Sequence, residues 1–198
     1  MADTLPPPPM FNFVSHPSAQ PFTVPGKAYK PKNAEDSWKY KLFATGAIVF
    51  ESSTPERVLL IQRAAHDSMP GKWETPGGGC DDSDPSILHG VARELWEEAG
   101  LIASKIGPPI GDGYFFFTRS QRLVCKFNFL VEAQRSEDGS LNVKLDPEEH
   151  QNYVWATEEE VKAKKVGDIE LRFTVEDQEK IILEAFKVRS LASSEIGH

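Results

Sequence analysis

The chain has 198 residues, of which 39% are hydrophobic and 26% charged, which is ordinary for a globular protein with one core. Its formal net charge of -8 argues against nucleic-acid polymers and anionic membranes as general partners, because a protein that holds many phosphates needs a basic stripe and none is visible. The two cysteines, Cys80 and Cys125, form no CxxC pair, and neither a leader-like start nor an apolar run of membrane-spanning length is visible. We therefore expect a cytoplasmic protein with reduced thiols.

Prolines crowd the segment before Trp38, beginning with the run from Pro6 to Pro9, so this segment is expected to be extended. We place a boundary near Ser37, with a proline-rich tail at residues 1–37 and one domain at residues 38–198. Apolar tail residues such as Phe22 suit contact with the domain or with a partner subunit, and a disordered tail is the alternative.

The domain alternates between strand-like and helix-like stretches. Residues 41–50 and 57–64 predict a hairpin, and residues 114–118 and 123–131 predict two further strands. Thr157 and Glu160 form a capping-box pattern, and a C-terminal helix is predicted from Thr174.

Residues 86–99 predict a helix, because Leu88, Val91, Leu95 and other apolar residues recur at three- and four-residue spacing. Asp84 is a suitable N-cap, with Pro85 in the first turn, and a left-handed Gly100 suits the C-terminal end. We therefore expect both ends of the helix to be marked.

The acids of this helix, Glu94, Glu97 and Glu98, fall on one side of a helical wheel. Like charges at this spacing cost about 0.2 to 0.5 kcal/mol per pair when nothing neutralises them, and a hard cation such as Mg²⁺ would reverse that penalty. The alternative is a solvated acidic face, in which Arg93 is only a surface ion-pair partner.

A glycine run, Gly77 to Gly79, lies just upstream of the helix. Glycine lets the backbone approach a ligand closely, so a carbonyl of this run could join a metal shell. A flexible turn is the alternative.

Taken together, Gly79 and the stretch from Arg93 to Leu101 resemble the Nudix box, G-x5-E-x7-R-E-U-x-E-E-x-G-U, in which U is a bulky aliphatic residue. The spacing from Gly79 to Arg93 matches the box. One fixed position departs from it, since the first glutamate of the box falls on Pro85. With the flanking strand pattern, the resemblance extends over roughly residues 43–161.

The resemblance implies an α/β fold, a Nudix-like α/β/α sandwich with a mixed β-sheet, and a hydrolase of nucleoside diphosphate derivatives that uses Mg²⁺ or Mn²⁺. Carried over by position, Glu97, Glu98 and the Gly78 carbonyl are implied as metal ligands. Glu94 is implied as general base or ligand, with Arg93 orienting it. An acid from a later loop completes some family sites, and Glu149 is our choice over its neighbour Glu148.

Several alternatives stay open at this stage. Pro85 removes a carboxylate, so a nucleotide-binding sensor that does not cleave its ligand is the second hypothesis, and an isomerase acting through a reactive cysteine is the third. The substrate can be a nucleoside triphosphate, a nucleotide sugar or a dinucleoside polyphosphate. The aromatic residues 115–117 either stack a base or belong to the core. A homodimer is also open, since many family members pair.

Overall fold

The computed structural model describes residues 8–195. Within this range the β-structure consists of one seven-stranded sheet and one two-stranded sheet. The strands are β1 (Val14–Ser15), β2 (Phe43–Glu51), β3 (Arg57–Arg63), β4 (Trp73–Glu74), β5 (Ala103–Phe117), β6 (Leu123–Ala133), β7 (His150–Thr157), β8 (Lys165–Val166) and β9 (Ile169–Glu170). The α-helices are α1 (Ile87–Ala99), α2 (Glu158–Ala163) and α3 (Glu176–Glu195).

The main sheet contains both parallel and antiparallel pairs. Its strand order is β1-β5-β6-β2-β3-β4, and β7 also pairs with β3. β2 runs parallel to β6, whereas β5 and β6 are antiparallel, as are β3 and β7. The mixed sheet that the resemblance implied is therefore present.

Two cores lie on opposite faces of this sheet, because successive side chains of a strand point to opposite sides. Ala47 and Val49 of β2 belong to the core that α1 covers. Ile48 and Phe50 belong to the core that α3 covers. The α/β/α sandwich predicted from the sequence is thus confirmed.

The predicted hairpin is confirmed as β2 and β3, although their direct pairing is limited to Phe50 with Val58 and Glu51 with Arg57. The capping box that starts α2 is also present, with reciprocal hydrogen bonds between Thr157 and the residue three positions later. The C-terminal helix is α3.

β5 begins at Ala103, so the sequence pattern missed its first half. That half contains Pro108 and Pro109, and its register with β6 shifts between Ile106 and Pro109 and again between Ile110 and Tyr114. Proline cannot donate to the ladder and a bulge interrupts the two-residue alternation, so this half carries no strand signal.

Part of the proline-rich segment packs on the sheet. β1 pairs in parallel with β5. Phe22 is buried, with its ring centroid 4.8 Å from that of Phe127 and 5.0 Å from that of Phe129. The boundary at residue 37 stays a prediction, and the start of the proline run, Pro6 and Pro7, lies outside the described residues.

Candidate active site

The glycine loop, residues 76–79, follows β4 and is held against β2 by backbone hydrogen bonds. The amides of Thr45 and Ala47 donate to the carbonyls of Gly78 and Pro76, at 2.8 and 2.7 Å. Gly77 has a φ of +149°, and a Cβ there would lie 2.1 Å from the Thr45 carbonyl oxygen, so the loop needs glycine at this position. The Gly78 carbonyl, having accepted the Thr45 amide, keeps one lone pair for another donor or a cation.

The N-terminal end of α1 differs from the expectation. Ser86 is the N-cap, and its hydroxyl accepts a hydrogen bond from the His89 amide at 3.2 Å. The predicted N-cap, Asp84, was wrong because its carboxylate binds Arg93 instead. Pro85 consequently precedes the cap and does not form part of the first turn.

Arg93 donates hydrogen bonds to several of the acids in and near α1. Its Nε and Nη2 atoms each donate to an oxygen of Asp84 at 3.0 Å. Its Nη1 atom donates to Glu94 Oε1 and to Glu97 Oε2, both at 2.8 Å, and Nη2 also donates to the Gly79 carbonyl at 2.8 Å. This is more than a surface ion pair, because the side chains of Arg93 and Asp84 are only 16% and 8% exposed.

The predicted ligands on α1 differ in exposure. Glu94 and Glu98 are buried, whereas the side chain of Glu97 is 42% exposed. Burial raises the pKa of Glu94 to about 7, and the charges of Glu97 and Glu149 add to the rise although Arg93 opposes it. The acids predicted from the sequence therefore act on one another electrostatically.

Glu98 lies deepest among these acids. Burial, together with the charge of Glu74, raises its pKa well above the usual range, even though the Gly77 amide donates to Glu98 Oε2 at 2.5 Å. An acid that is buried beside other acids is strained as an anion unless a cation compensates it. Glu98 is thus hydrogen-bonded to the glycine loop, and the neighbouring acids disfavour its charged form.

The later-loop acid, Glu149, lies close to Glu98 and His150. Each of these three side chains offers one ligand atom, and the three atoms lie within 4.8 Å of one another. His150 was not predicted as a site residue, and neither was Glu74, whose Oε1 lies 3.4 Å from His150 Nε2. Each is an isolated residue in a strand-like stretch, so no local sequence pattern predicts that Glu74 and His150 lie in contact.

The model of the NUDIX domain matches residues 41–176. This chain belongs to the Nudix family.

Relatives in the Nudix family match this chain over short stretches. The RNA pyrophosphohydrolase of Psychrobacter sp. (strain PRwf-1) is 37% identical over 59 residues, covering 30% of this chain and 31% of that protein. The m7GpppN-mRNA hydrolase NUDT17 of Bos taurus is 40% identical over 57 residues, covering 28% of this chain and 18% of that protein. The chain therefore spans less than a third of the length of these two relatives.

A solved structure extends the similarity over most of the fold. The MutT protein from Methanosarcina mazei Go1 aligns with a TM-score of 0.54 and 25% identity, covering 75% of this chain and 94% of that chain. The Nudix fold of this chain thus matches a known structure well beyond the box itself.

The residues at this Nudix site fit a divalent cation. The predicted ligands, which are the carboxylates of Glu94, Glu97 and Glu98 and the carbonyl of Gly78, are hard oxygen donors of the kind that Mg²⁺ prefers. Of these, Glu98 belongs to the group of closely spaced ligand atoms that also includes Glu149 and His150. Burial first and neighbouring acids second raise the pKa of Glu94 and of Glu98, and a cation beside them would favour their charged forms. The donor set therefore agrees with the cofactor that the Nudix resemblance implies.

Neither cysteine has the environment of a nucleophile. Cys80 and Cys125 are both free, and burial raises the pKa of each thiol to about 12. A thiol with such a pKa is almost entirely protonated near neutral pH, so nothing here favours the isomerase alternative. Across residues 8–195, none of the helices has both the length and the apolar character needed to cross a bilayer.

Proposed function

We propose that this Nudix protein is a pyrophosphohydrolase that uses Mg²⁺, or Mn²⁺ in its place, to cleave the diphosphate linkage of a nucleoside diphosphate derivative. The observation that carries the proposal is the burial of two carboxyl groups, Glu94 and Glu98, side by side on α1 and next to the glycine loop, where Arg93 and the Gly77 amide hold them by hydrogen bonds. The names of two relatives, an RNA pyrophosphohydrolase and an m7GpppN-mRNA hydrolase, support a hydrolytic activity.

The proposed roles follow from exposure and contacts. Glu97, Glu98 and the Gly78 carbonyl hold the cation, and the partly exposed Glu97 offers it a route from solvent. When bound, the cation supplies charge neutralisation at the diphosphate oxygens and lowers the pKa of a water molecule.

Proton transfer falls to Glu94 or to Glu149. Arg93 binds one oxygen of Glu94 and so fixes the direction of the other, which is free to accept a proton from the attacking water. Glu149 is exposed and lies near Glu98, so it offers a second acceptor on the solvent side. A nucleoside monophosphate leaves when the linkage breaks.

The proposed substrate is a nucleoside triphosphate, a nucleotide sugar or a dinucleoside polyphosphate. We infer a small-molecule partner and no nucleic-acid polymer. The cytoplasmic location and the homodimer stay predictions, and light scattering of the full chain tests the second.

The activity is tested with a nucleotide panel in Mg²⁺, with release of phosphate or nucleoside monophosphate as the readout. Glu97→Gln should remove Mg²⁺-dependent turnover while the melting temperature stays unchanged, because its side chain is 42% exposed and contributes little to packing. Glu159→Gln, on the exposed face of α2 with 83% of its side chain accessible, is the matched control and should keep full activity.

The outcomes separate the two hypotheses. Nucleotide binding by the wild type without any release would favour the sensor over the hydrolase. Full turnover in Glu97→Gln would remove that residue from the cation site.

A further inference from the structure

A cavity of about 420 Å³ opens beside the glycine loop. Gly77 and Gly78 form part of its wall, and Tyr114, Phe116 and Lys126 from β5 and β6 form another part. This volume lies within the range of about 300 to 1,000 Å³ that is usual for small-molecule sites. The cavity therefore shares a wall with the proposed cation site.

Lys126 is the unusual residue of this wall. It is 7% exposed, and among residues 8–195 its ammonium group has neither a hydrogen-bond partner nor an ion-pair partner. Its Nζ atom is not among the fully buried side-chain atoms that lack a partner, so the ammonium group keeps access to the cavity, where a bound anion can reach it.

The two acids that interact electrostatically with Lys126 have hydrogen-bond partners of their own. Glu74 is bonded to Arg63, and it lies 3.4 Å from the His150 ring nitrogen. Glu98 accepts the Gly77 amide. Neither of these two carboxylates forms an ion pair or a hydrogen bond with Lys126, so its positive charge stays available to a ligand.

Lys126 and Glu74 line the same cavity. The charge of Lys126 contributes to lowering the pKa of Glu74, and it partly offsets the burial that raises the pKa of Glu98. An anion in the cavity would therefore meet positive charge from Lys126 and from a cation held at the adjoining Gly78 carbonyl and the acids of α1. A diphosphate has the charge and the two linked groups to do so.

We propose that Lys126 is a substrate-binding residue that donates hydrogen bonds to a phosphoryl group of the diphosphate inside this cavity. The inference rests on the proposed function, because the cation site defines where the neighbouring phosphoryl group lies. Lys126 would give the diphosphate a positively charged contact in addition to the cation. This contact comes from strand β6 and lies outside the Nudix box. A lysine suits this role as a compact point charge with three donors.

The test uses methylenediphosphonate, a diphosphate mimic that cannot be hydrolysed, titrated calorimetrically in Mg²⁺ buffer. Lys126→Met should weaken its binding about 10- to 100-fold, the value of a hydrogen bond to a charged group. Lys105→Met is the matched control, because Lys105 lies on the adjacent strand β5 and its side chain is 46% exposed in an ion pair with Glu132. The Lys105→Met variant should bind methylenediphosphonate with the affinity of the wild type.

A purely structural role for Lys126 gives a different result. Melting temperature and Mg²⁺ affinity are measured on the same variants, and Lys126→Met should keep both, or raise the Mg²⁺ affinity, because Lys126 makes no hydrogen bond or ion pair within residues 8–195 and its charge repels a cation. Lys126→Gln serves as the second variant if methionine impairs folding. Unchanged diphosphonate affinity in the folded variant, or no binding by the wild type, would overturn the proposal.

Failure of the two proposals can be told apart. If the wild type binds methylenediphosphonate through Lys126 but cleaves no nucleotide in the panel, the hydrolase proposal fails and the role of Lys126 stands. If nucleotides are cleaved and Lys126→Met keeps the wild-type KM and diphosphonate affinity, only the role of Lys126 fails.

Discussion

The position of Glu94 can be changed without altering its chemistry, by adding one methyl group to the glycine loop. A Cβ at Gly78 would lie 2.5 Å from Glu94 Oε2 and 2.8 Å from its Cδ atom. Ordinary contact begins at 3.4 Å, so the carboxylate must retreat by about 0.9 Å. Glu94 cannot swing freely, because it is 9% exposed and its other oxygen is bound by Arg93.

Gly78→Ala should therefore lower kcat strongly and leave the fold in place. A misplacement of about 1 Å of a catalytic group can cost about 100-fold in rate, and we expect a loss of that order. Gly79→Ala is the matched control on the next residue, since a Cβ there meets nothing within 4 Å and its carbonyl contact with Arg93 is a backbone contact that the methyl group leaves intact.

The assay is steady-state hydrolysis of the best substrate from the panel, with thermal melting of each variant as the measure of folding. The reasoning holds if Gly78→Ala loses kcat and Gly79→Ala keeps it. Wild-type kcat in a well-folded Gly78→Ala would refute a role that depends on the position of Glu94. Equal losses in both variants would instead mean that loop flexibility controls the rate.

Two further predictions concern stability and are measured by urea unfolding. Arg93→Met should lower the free energy of unfolding by about 3 to 5 kcal/mol, because it leaves the buried Asp84 without its ion-pair partner. The control Arg172→Met should change this free energy by about 0.5 kcal/mol or less, because the ion pair of Arg172 is exposed. Equal effects of the two variants would contradict the role of burial. Phe22→Ala should cost about 3 to 5 kcal/mol if the proline-rich segment is part of the core, while Met10→Ala, at a side chain that is 84% exposed, should cost almost nothing. A Phe22→Ala variant as stable as the wild type would mean that the segment contributes no stability.

The parts of the fold that follow from local pattern could be predicted from the sequence. The helix α1 shows apolar spacing of three and four residues, and Gly100 closes it with a φ of +66° as expected for a left-handed end. The carboxylates on that helix could also be identified, because helical spacing alone places them on one side. These features depend on residues within a few turns of one another.

The features that could not be predicted depend on contacts between distant parts of the chain. Glu74 on β4 and His150 on β7 approach each other because both strands pair with β3, which no local pattern reveals. Lys126 looks in sequence like an ordinary polar position of a strand, and only the folded sheet shows that it is buried beside a cavity. Burial of a polar residue is a tertiary property, which a local sequence pattern does not reveal.

The departure from the box at Pro85 has a structural counterpart one residue earlier. Ser86, and not Asp84, caps the helix. The two oxygens of Asp84 bind the guanidinium group of Arg93 at 3.0 Å each, and Oδ2 also accepts the Asp81 amide at 2.8 Å. Arg93 is thereby held from the side opposite to Glu94, and since a bidentate contact fixes the plane of the guanidinium group, the direction of the Glu94 bond is fixed with it. The carboxylate that orients Arg93 in this chain is therefore that of Asp84, beside the departure from the box.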